Sequence, residues 1–323
     1  MSQNKRPEER FEFSAMPQRK KWSLPEGKRI AVYTVVNVEE WDIEKPIARE
    51  YVTSPAGVST IPNVPNWAWH EYGMRVGIWR ILDFFAKHNL RATTAINASV
   101  CLGAGEPVAR AMREAGWEFM GHGYHQAALH TVDDQQENIR KAFNTLREYT
   151  GKDPKGWLGP GLHETLDTLD YLAAEGFKYV CDFPMDEQPV DMKTSSQPIV
   201  AMPYTMELSD LPMMVVHTHE SKVWHDRVVD QFDRLYAEGA DQPRVMSMSI
   251  HPYIMGVPHR LKHFEAAYEY MLQHDDVWFA TAEEIYDWFY ETKPCNSSYQ
   301  LKGISSQAIA HSQSRKPLTS NLS

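Results

Sequence analysis

Arg29-Ile30-Ala31-Val32-Tyr33-Thr34-Val35-Val36-Asn37-Val38-Glu39-Glu40 runs from a dense β-branched and aromatic stretch into two adjacent carboxylates. Arg29–Val36 is too short and too rich in Val, Ile and Tyr for a helix, and it reads as a buried strand. The acidic pair then stands just past the end of that strand. One carboxylate there can orient a substrate or hold a metal, while the other takes a proton from water if its surroundings tune it.

Outward from this strand, short apolar runs alternate with helical patterns. Leu90–Ile96, Trp117–Met120, Tyr179–Asp182, Ile199–Met202, Met213–His217, Val245–Ile250 and Val277–Ala280 read as further strands. Gly77–Lys87, Glu106–Ala115, Asp133–Thr150, Thr165–Glu175, Asp226–Ala237, His263–Gln273 and Glu283–Phe289 carry helical spacing, with Gly116, Gly151 and Gly176 as stops. Strands that alternate with helices imply a parallel sheet. With this many units a closed or nearly closed β/α barrel is the economical arrangement, and its active site would lie at the C-terminal ends of the strands. Periodicity alone leaves an open doubly wound sheet as the alternative.

The chain of 323 residues suits one such domain, and 42% apolar residues suit a globular one. Residues 1–26 are polar and Pro-containing and read as an arm, 27–292 as the barrel, and 293–323 as a disordered tail. A net charge of -10 supplies no basic field for nucleic acid or an anionic membrane. Cys101, Cys181 and Cys295 are few, odd in number and far apart, which argues against a disulfide framework or a cysteine zinc site. No segment approaches the roughly 20 apolar residues of a membrane span. The expected compartment is the cytoplasm.

Chemistry-bearing residues gather at the predicted strand ends. Gly121-His122-Gly123-Tyr124-His125-Gln126 follows the third strand, and its glycines permit close backbone approach around His122. Ser249-Ile250-His251-Pro252 ends a late strand, with Pro252 stiffening the turn so that His251 stands at the rim. His217 and His219 would share one face of a strand by period-two alternation. His130 is a further histidine of this region. Trp67–Arg75 is dense in aromatics and reads as a packed loop over the barrel mouth, where Glu71 or Arg75 could touch a polar ligand. Gly-rich dinucleotide, phosphate-loop and serine-elbow patterns are missing from the sequence.

Taken in order, these motifs resemble the polysaccharide deacetylase (NodB-homology) superfamily, and within it the branch of metal-independent allantoinase and cyclic-imide hydrolases. The resemblance runs from about Leu24 to Phe289. The acidic strand end matches Asn37 to Glu40. A Tyr-Gly-x-Arg-x-Gly-x-Trp-Arg run matches Tyr72, Gly73, Arg75, Gly77, Trp79 and Arg80. His-Gly-Tyr matches His122, Gly123 and Tyr124, and Gly-Trp matches Gly156 and Trp157. Pro203-Tyr204-Thr205 and Ser249-Ile250-His251 match later elements.

Two departures stand out. Metal-dependent members carry an acid and two histidines four residues apart, but Gln126 occupies the second histidine's place, and glutamine is a poor zinc ligand. The arginine-proline motif of sugar deacetylases is replaced by Leu158-Gly159-Pro160-Gly161. The resemblance implies a distorted (β/α)7–8 barrel with extended termini that hydrolyses non-peptide carbon–nitrogen bonds. The substrate it implies is a small cyclic amide, ureide or imide. N-deacetylation of a sugar and a non-catalytic ligand-binding barrel are the alternatives.

In this reading Glu39 or Glu40 is the base, His251 the acid and His122 a stabiliser of the oxyanion. A divalent metal, zinc first, would use Glu40, His122 and His125, with Gln126 as substitute for the last. A metal-free mechanism is equally open. Glu71, Arg75, Tyr124, Gln126, Trp157 and His217 are the expected substrate contacts. The allantoinase resemblance also implies a homo-oligomer, a dimer or tetramer.

Overall fold

The computed structural model describes residues 6–47, 50–53, 57–58 and 60–294. The expected tail, 293–323, therefore lies outside the described residues from 295 onward, and Cys295 with it.

The acid-tipped run forms β1 (Ile30–Val38), buried along its whole length. The other strands are β2 (Thr93–Ile96), β3 (Glu118–Gly121), β4 (Gly156–Trp157), β5 (Tyr179–Val180), β6 (Val190–Met192), β7 (Ile199–Ala201), β8 (Arg244–Ile250) and β9 (Val277–Phe279). They make one sheet in the order β6-β7-β5-β4-β3-β2-β1-β8. β9 pairs with the first half of β1, Ile30 to Val32, and β2 with its second half, Val35 to Val38. All pairings are parallel except β6 with β7. The sheet curls into a half-barrel and, among the described residues, no strand ladder closes it. The gap between its edges is crossed by single links, the amide of Val245 donating to the Glu187 carbonyl and a bridge of Ser209 to Ser249.

The helices are α1 (Val64–Tyr72), α2 (Ile78–Lys87), α3 (Glu106–Glu114), α4 (Gln135–Thr150), α5 (Thr168–Glu175), α6 (Ser221–Glu238), α7 (Pro252–Met255), α8 (Pro258–Met271) and α9 (Ala282–Thr292). Helical spacing explains their packing: α2 buries Ile78, Ile81, Leu82, Phe84 and Phe85 against the sheet. Local chemistry sets their ends. Asp134 caps α4 by accepting from the Glu137 amide, and a left-handed Gly151 stops it.

Three expectations are corrected. Met213–His217 is not a strand; Leu211–Val216 is a wide helical turn, with Pro212 in its first turn and the amides of His217 and His219 bonding back to Pro212 and Met213. Proline there fixes φ and has no N–H to offer a sheet, so the apolar run folds as a helix that buries Met213 and Met214. Trp67–Arg75 is not a loop but α1 running into a π-helical turn, Gly73–Gly77. The arm is also more than an extended segment. Its residues 6–26 contain three 3-10 turns, Arg10 is buried against Asp170, and Trp22 packs edge-on against Phe289 of α9.

Alternation along the strands decides which side chains reach the barrel interior. On β1, Ile30, Val32, Val36 and Val38 join the layer between sheet and helices. Ala31, Tyr33 and Val35 point inward to a second core with Met120, Leu158, Met202 and Val245. Continuing the inward parity past each strand gives Asn37 and Glu39 after Val35, His122 after Met120, and Ser247, Ser249 and His251 after Val245. Trp157 has the opposite parity to Leu158.

Candidate active site

The inward positions meet on Glu39. Its side chain is only 4% exposed, and the imidazoles of His122 and His251 are 3% and 8% exposed. Glu39 Oε1 stands 3.6 Å from His122 Nε2 and 3.6 Å from His251 Nε2. The same oxygen accepts from Gln126 Nε2 at 2.9 Å. The other oxygen accepts from the Trp41 indole at 3.0 Å and from the Tyr253 hydroxyl at 3.2 Å. Residues just past the ends of β1, β3 and β8, the loop residues Trp41 and Gln126, and Tyr253 of α7 thus converge on one carboxylate.

Burial on its own would raise the pKa of Glu39. The facing His122 and the charge of His251 outweigh it and hold it down at about 2. At 3.6 Å the imidazole nitrogens stand just beyond direct hydrogen bonding, so their hold is chiefly one of charge.

Each imidazole is fixed from behind. His251 Nδ1 bonds Asp210 Oδ1 at 2.7 Å, and Asp210 Oδ2 accepts from the His251 amide at 2.7 Å. Asp210 is fully buried. Burial pulls the His251 pKa down, but the charge and hydrogen bond of Asp210, and the charge of Glu39, carry it above its ordinary value. Nδ1 is taken up by Asp210, so Nε2 is the nitrogen that faces Glu39, and the raised pKa favours its protonated form. His122 Nδ1 lies 2.6 Å from the Leu158 carbonyl. A carbonyl only accepts, so Nδ1 carries a proton and Nε2 is the nitrogen turned toward Glu39. Nε2 of His122 is buried with no hydrogen-bond partner.

Asn97, at the end of β2, ties the strand ends together. Its amide donates to the His122 carbonyl and, at 3.0 Å, to Gln126 Oε1, and its oxygen accepts from the Glu40 amide at 2.9 Å. Gln126 is thereby held between Asn97 and Glu39.

The expected metal set is not assembled. Glu40 has outward parity, accepts from the Ser99 hydroxyl and faces His125 at 3.7 Å, while His122 faces Glu39. Gln126 turns its N–H toward the carboxylate and its oxygen toward Asn97. Among the described residues no group of three or more His, Cys, Asp or Glu side chains is placed to hold a metal ion. The donor set present does not fit the acid-and-two-histidine centre.

The expected substrate contacts divide. Gln126 is in the site. Trp157 is not, because its outward parity packs it against Phe177 between sheet and helices. Tyr124 lies under Lys141, whose ammonium is 3.6 Å from the ring centre. His217 is exposed on the wide turn, with its ring 6.1 Å from that of His219 rather than beside it on a strand. Glu71 is half-buried on α1, and Arg75 is exposed in the π-helical turn. His130 packs edge-on against His163.

Residues not singled out from the sequence complete the cluster: Trp41, Asn97, Asp210, Tyr253 and His70. The ring of His70 on α1 lies 4.5 Å from Trp41 and 4.2 Å from Tyr253, and Trp69 packs edge-on against Tyr253 at 4.8 Å. Glycines let the π-helical turn after α1 pack closely on α7. A Cβ on Gly77 would meet the Pro252 carbonyl oxygen at 2.1 Å, and one on Gly256 would meet the Gly77 Cα at 2.5 Å. Asp210 had a signal available, the acid–x–Pro start of a helix.

Residues 70–180 match the polysaccharide deacetylase family. The matched stretch holds His70, Asn97, His122 and Gln126. The structure of PuuE allantoinase superposes with a TM-score of 0.76 at 29% identity, over 84% of this chain and 94% of that one.

The chain is similar to the polysaccharide deacetylase family.

A probable polysaccharide deacetylase from Pseudomonas aeruginosa is as similar, with a TM-score of 0.76 and 28% identity over 86% of this chain and 96% of that one. A putative polysaccharide deacetylase of Schizosaccharomyces pombe is 26% identical over 299 residues, covering 81% of this chain and 90% of that protein. The proteins it resembles, deacetylases and an allantoinase, are hydrolases of carbon–nitrogen bonds. Deacetylases and an allantoinase lie equally near, so the substrate has to be argued from the site. No described helix is long and apolar enough to cross a membrane.

Proposed function

We propose that this chain opens the ring of a small cyclic amide, ureide or imide. The enclosure of Glu39 carries the proposal. The carboxylate is 4% exposed, with Trp41 bonded to it and α1 stacked behind. A polymer needs an open groove along which several residues of chain can lie, whereas a small planar ring fits a walled site with aromatic faces. The allantoinase neighbour supports the same class.

In the proposed reaction water attacks the carbonyl beside Glu39. Glu39, ionised throughout the physiological range, orients the water and accepts its proton, with His122 Nε2 standing 3.6 Å from the carboxylate. His251, held protonated by Asp210, gives its Nε2 proton to the leaving nitrogen as the carbon–nitrogen bond breaks. Glu39 and His251 are the acid–base pair because their surroundings push their pKa values apart. The tautomer fixed by Leu158 lets His122 stabilise an oxyanion only as an imidazolium.

The test is turnover of hydantoin, succinimide and allantoin by the purified protein and by Glu39→Gln and His251→Ala. Ring opening by the natural chain and its loss in both variants, with circular dichroism unchanged, is expected. Full activity in both variants would sink the mechanism.

A further inference from the structure

Two rings around Glu39, those of His122 and His70, have a buried nitrogen without a hydrogen-bond partner, and His70 is the one that the proposed reaction does not use. It is 4% exposed. Its Nδ1 lies 2.7 Å from the carbonyl of Asn66, one turn earlier on α1, so Nδ1 donates and the ring's orientation is set. Nε2, on the far side of the ring from that helix, is buried and has no hydrogen-bond partner. The ring lies against Trp41 and Tyr253, the two residues that donate to Glu39 Oε2. Burial also lowers the His70 pKa, in keeping with a neutral ring. Buried acceptors without a partner are rare and costly, and near a reaction centre they mark where a ligand completes the bonding.

We propose that His70 Nε2 accepts a hydrogen bond from a ring N–H of the substrate, which makes His70 a specificity determinant for unsubstituted imides and ureides over N-alkylated ones. The inference rests on the ring-substrate reading of the site. Its chemistry is recognition alone: the N–H must be present on the ring, and the bond forms without proton transfer.

The experiment measures binding and turnover separately, with succinimide and N-methylsuccinimide as probes. Isothermal titration of the full chain is compared with His70→Phe, which keeps a ring without Nε2, and His70→Gln, which can restore a polar group near its place. Succinimide should bind the natural chain at least about 10-fold more tightly than N-methylsuccinimide, the order expected of one net hydrogen bond. His70→Phe should lose that ratio by weakening succinimide only, and His70→Gln should recover part of it. Discrimination kept in a folded His70→Phe, equal weakening of both probes, or no binding of either probe to the natural chain would overturn the inference. Turnover in the same samples tells the two proposals apart. Discriminating binding without ring opening counts against the proposed reaction and for His70. Ring opening with an unchanged ratio in His70→Phe counts against His70 alone.

Discussion

Replacing Asp210 with Asn tests the source of the acid. The substitution preserves shape but removes the buried charge that bonds His251 Nδ1 and the His251 amide, both at 2.7 Å. An opposite charge at such distance is worth roughly 1–3 pKa units to an imidazole. Losing about 2 units lowers the protonated fraction of His251 about 100-fold at pH values above both the old and new pKa. The expected result is kcat/KM reduced on the order of 100-fold at alkaline pH, a smaller deficit as pH falls, and an alkaline limb moved to lower pH. Stability follows the same sign. The raised His251 pKa contributes fully below about 6.5, the ordinary histidine value, and its contribution is lost as pH rises through the folded value. The assay is a pH–rate profile of both proteins from pH 5 to 10, with urea unfolding as control. A deficit independent of pH, or an alkaline limb that does not move, would refute the assignment of His251 as the acid tuned by Asp210.

Other perturbations have equally definite outcomes. Glu39→Gln should cost at least about 10³-fold in kcat, the scale of losing a positioned base, with native circular dichroism retained. Gly77→Ala forces a methyl to within 2.1 Å of the Pro252 carbonyl, so unfolding in urea should show a loss of about 1–3 kcal/mol and kcat should fall as Tyr253 shifts. Glu118 opens β3 at the end of the barrel opposite the site, where burial raises its pKa from 4.5 to about 7 against bonds from Tyr179, the Glu283 amide and Thr93. A carboxyl with a raised folded pKa costs nothing below 4.5 and progressively more as pH rises to 7, about 3 kcal/mol in all. Glu118→Gln should flatten that part of the stability–pH curve measured by urea unfolding, and an unchanged slope would contradict the account.

The legible parts of the sequence are those with strong local pattern. β1 announces itself because every one of its nine buried residues except Asn37 is apolar, aromatic or β-branched, and α2 because its buried residues recur at helical spacing. Glu39, His122 and His251 were readable as strand-end residues, and parity along β1, β3 and β8 explains why all three turn inward. Trp157 was misplaced because β4 has two residues, too few for alternation to reveal that Leu158 points in and Trp157 out. His217 was misplaced because an apolar run outweighed the proline before it. Asn97, Asp210, Tyr253 and His70 are brought to the site by packing across long separations, such as the 214 positions between Tyr253 and Glu39. Apart from the helix-start pattern at Asp210, no local signal encodes such a meeting. The metal question turned on Gln126, whose amide bridges Asn97 and Glu39 rather than offering its oxygen to an ion.

The central claim is that an enclosed Glu39 serves a small ring rather than an acetylated polymer. The direct measurement is carbon NMR of the purified protein incubated in parallel with hydantoin, succinimide and allantoin, and with chitin oligomers and N-acetylglucosamine. The account predicts ring-opened amide acids from at least one cyclic compound and no acetate from the sugars. Acetate release from the oligomers with every ring left intact would contradict it.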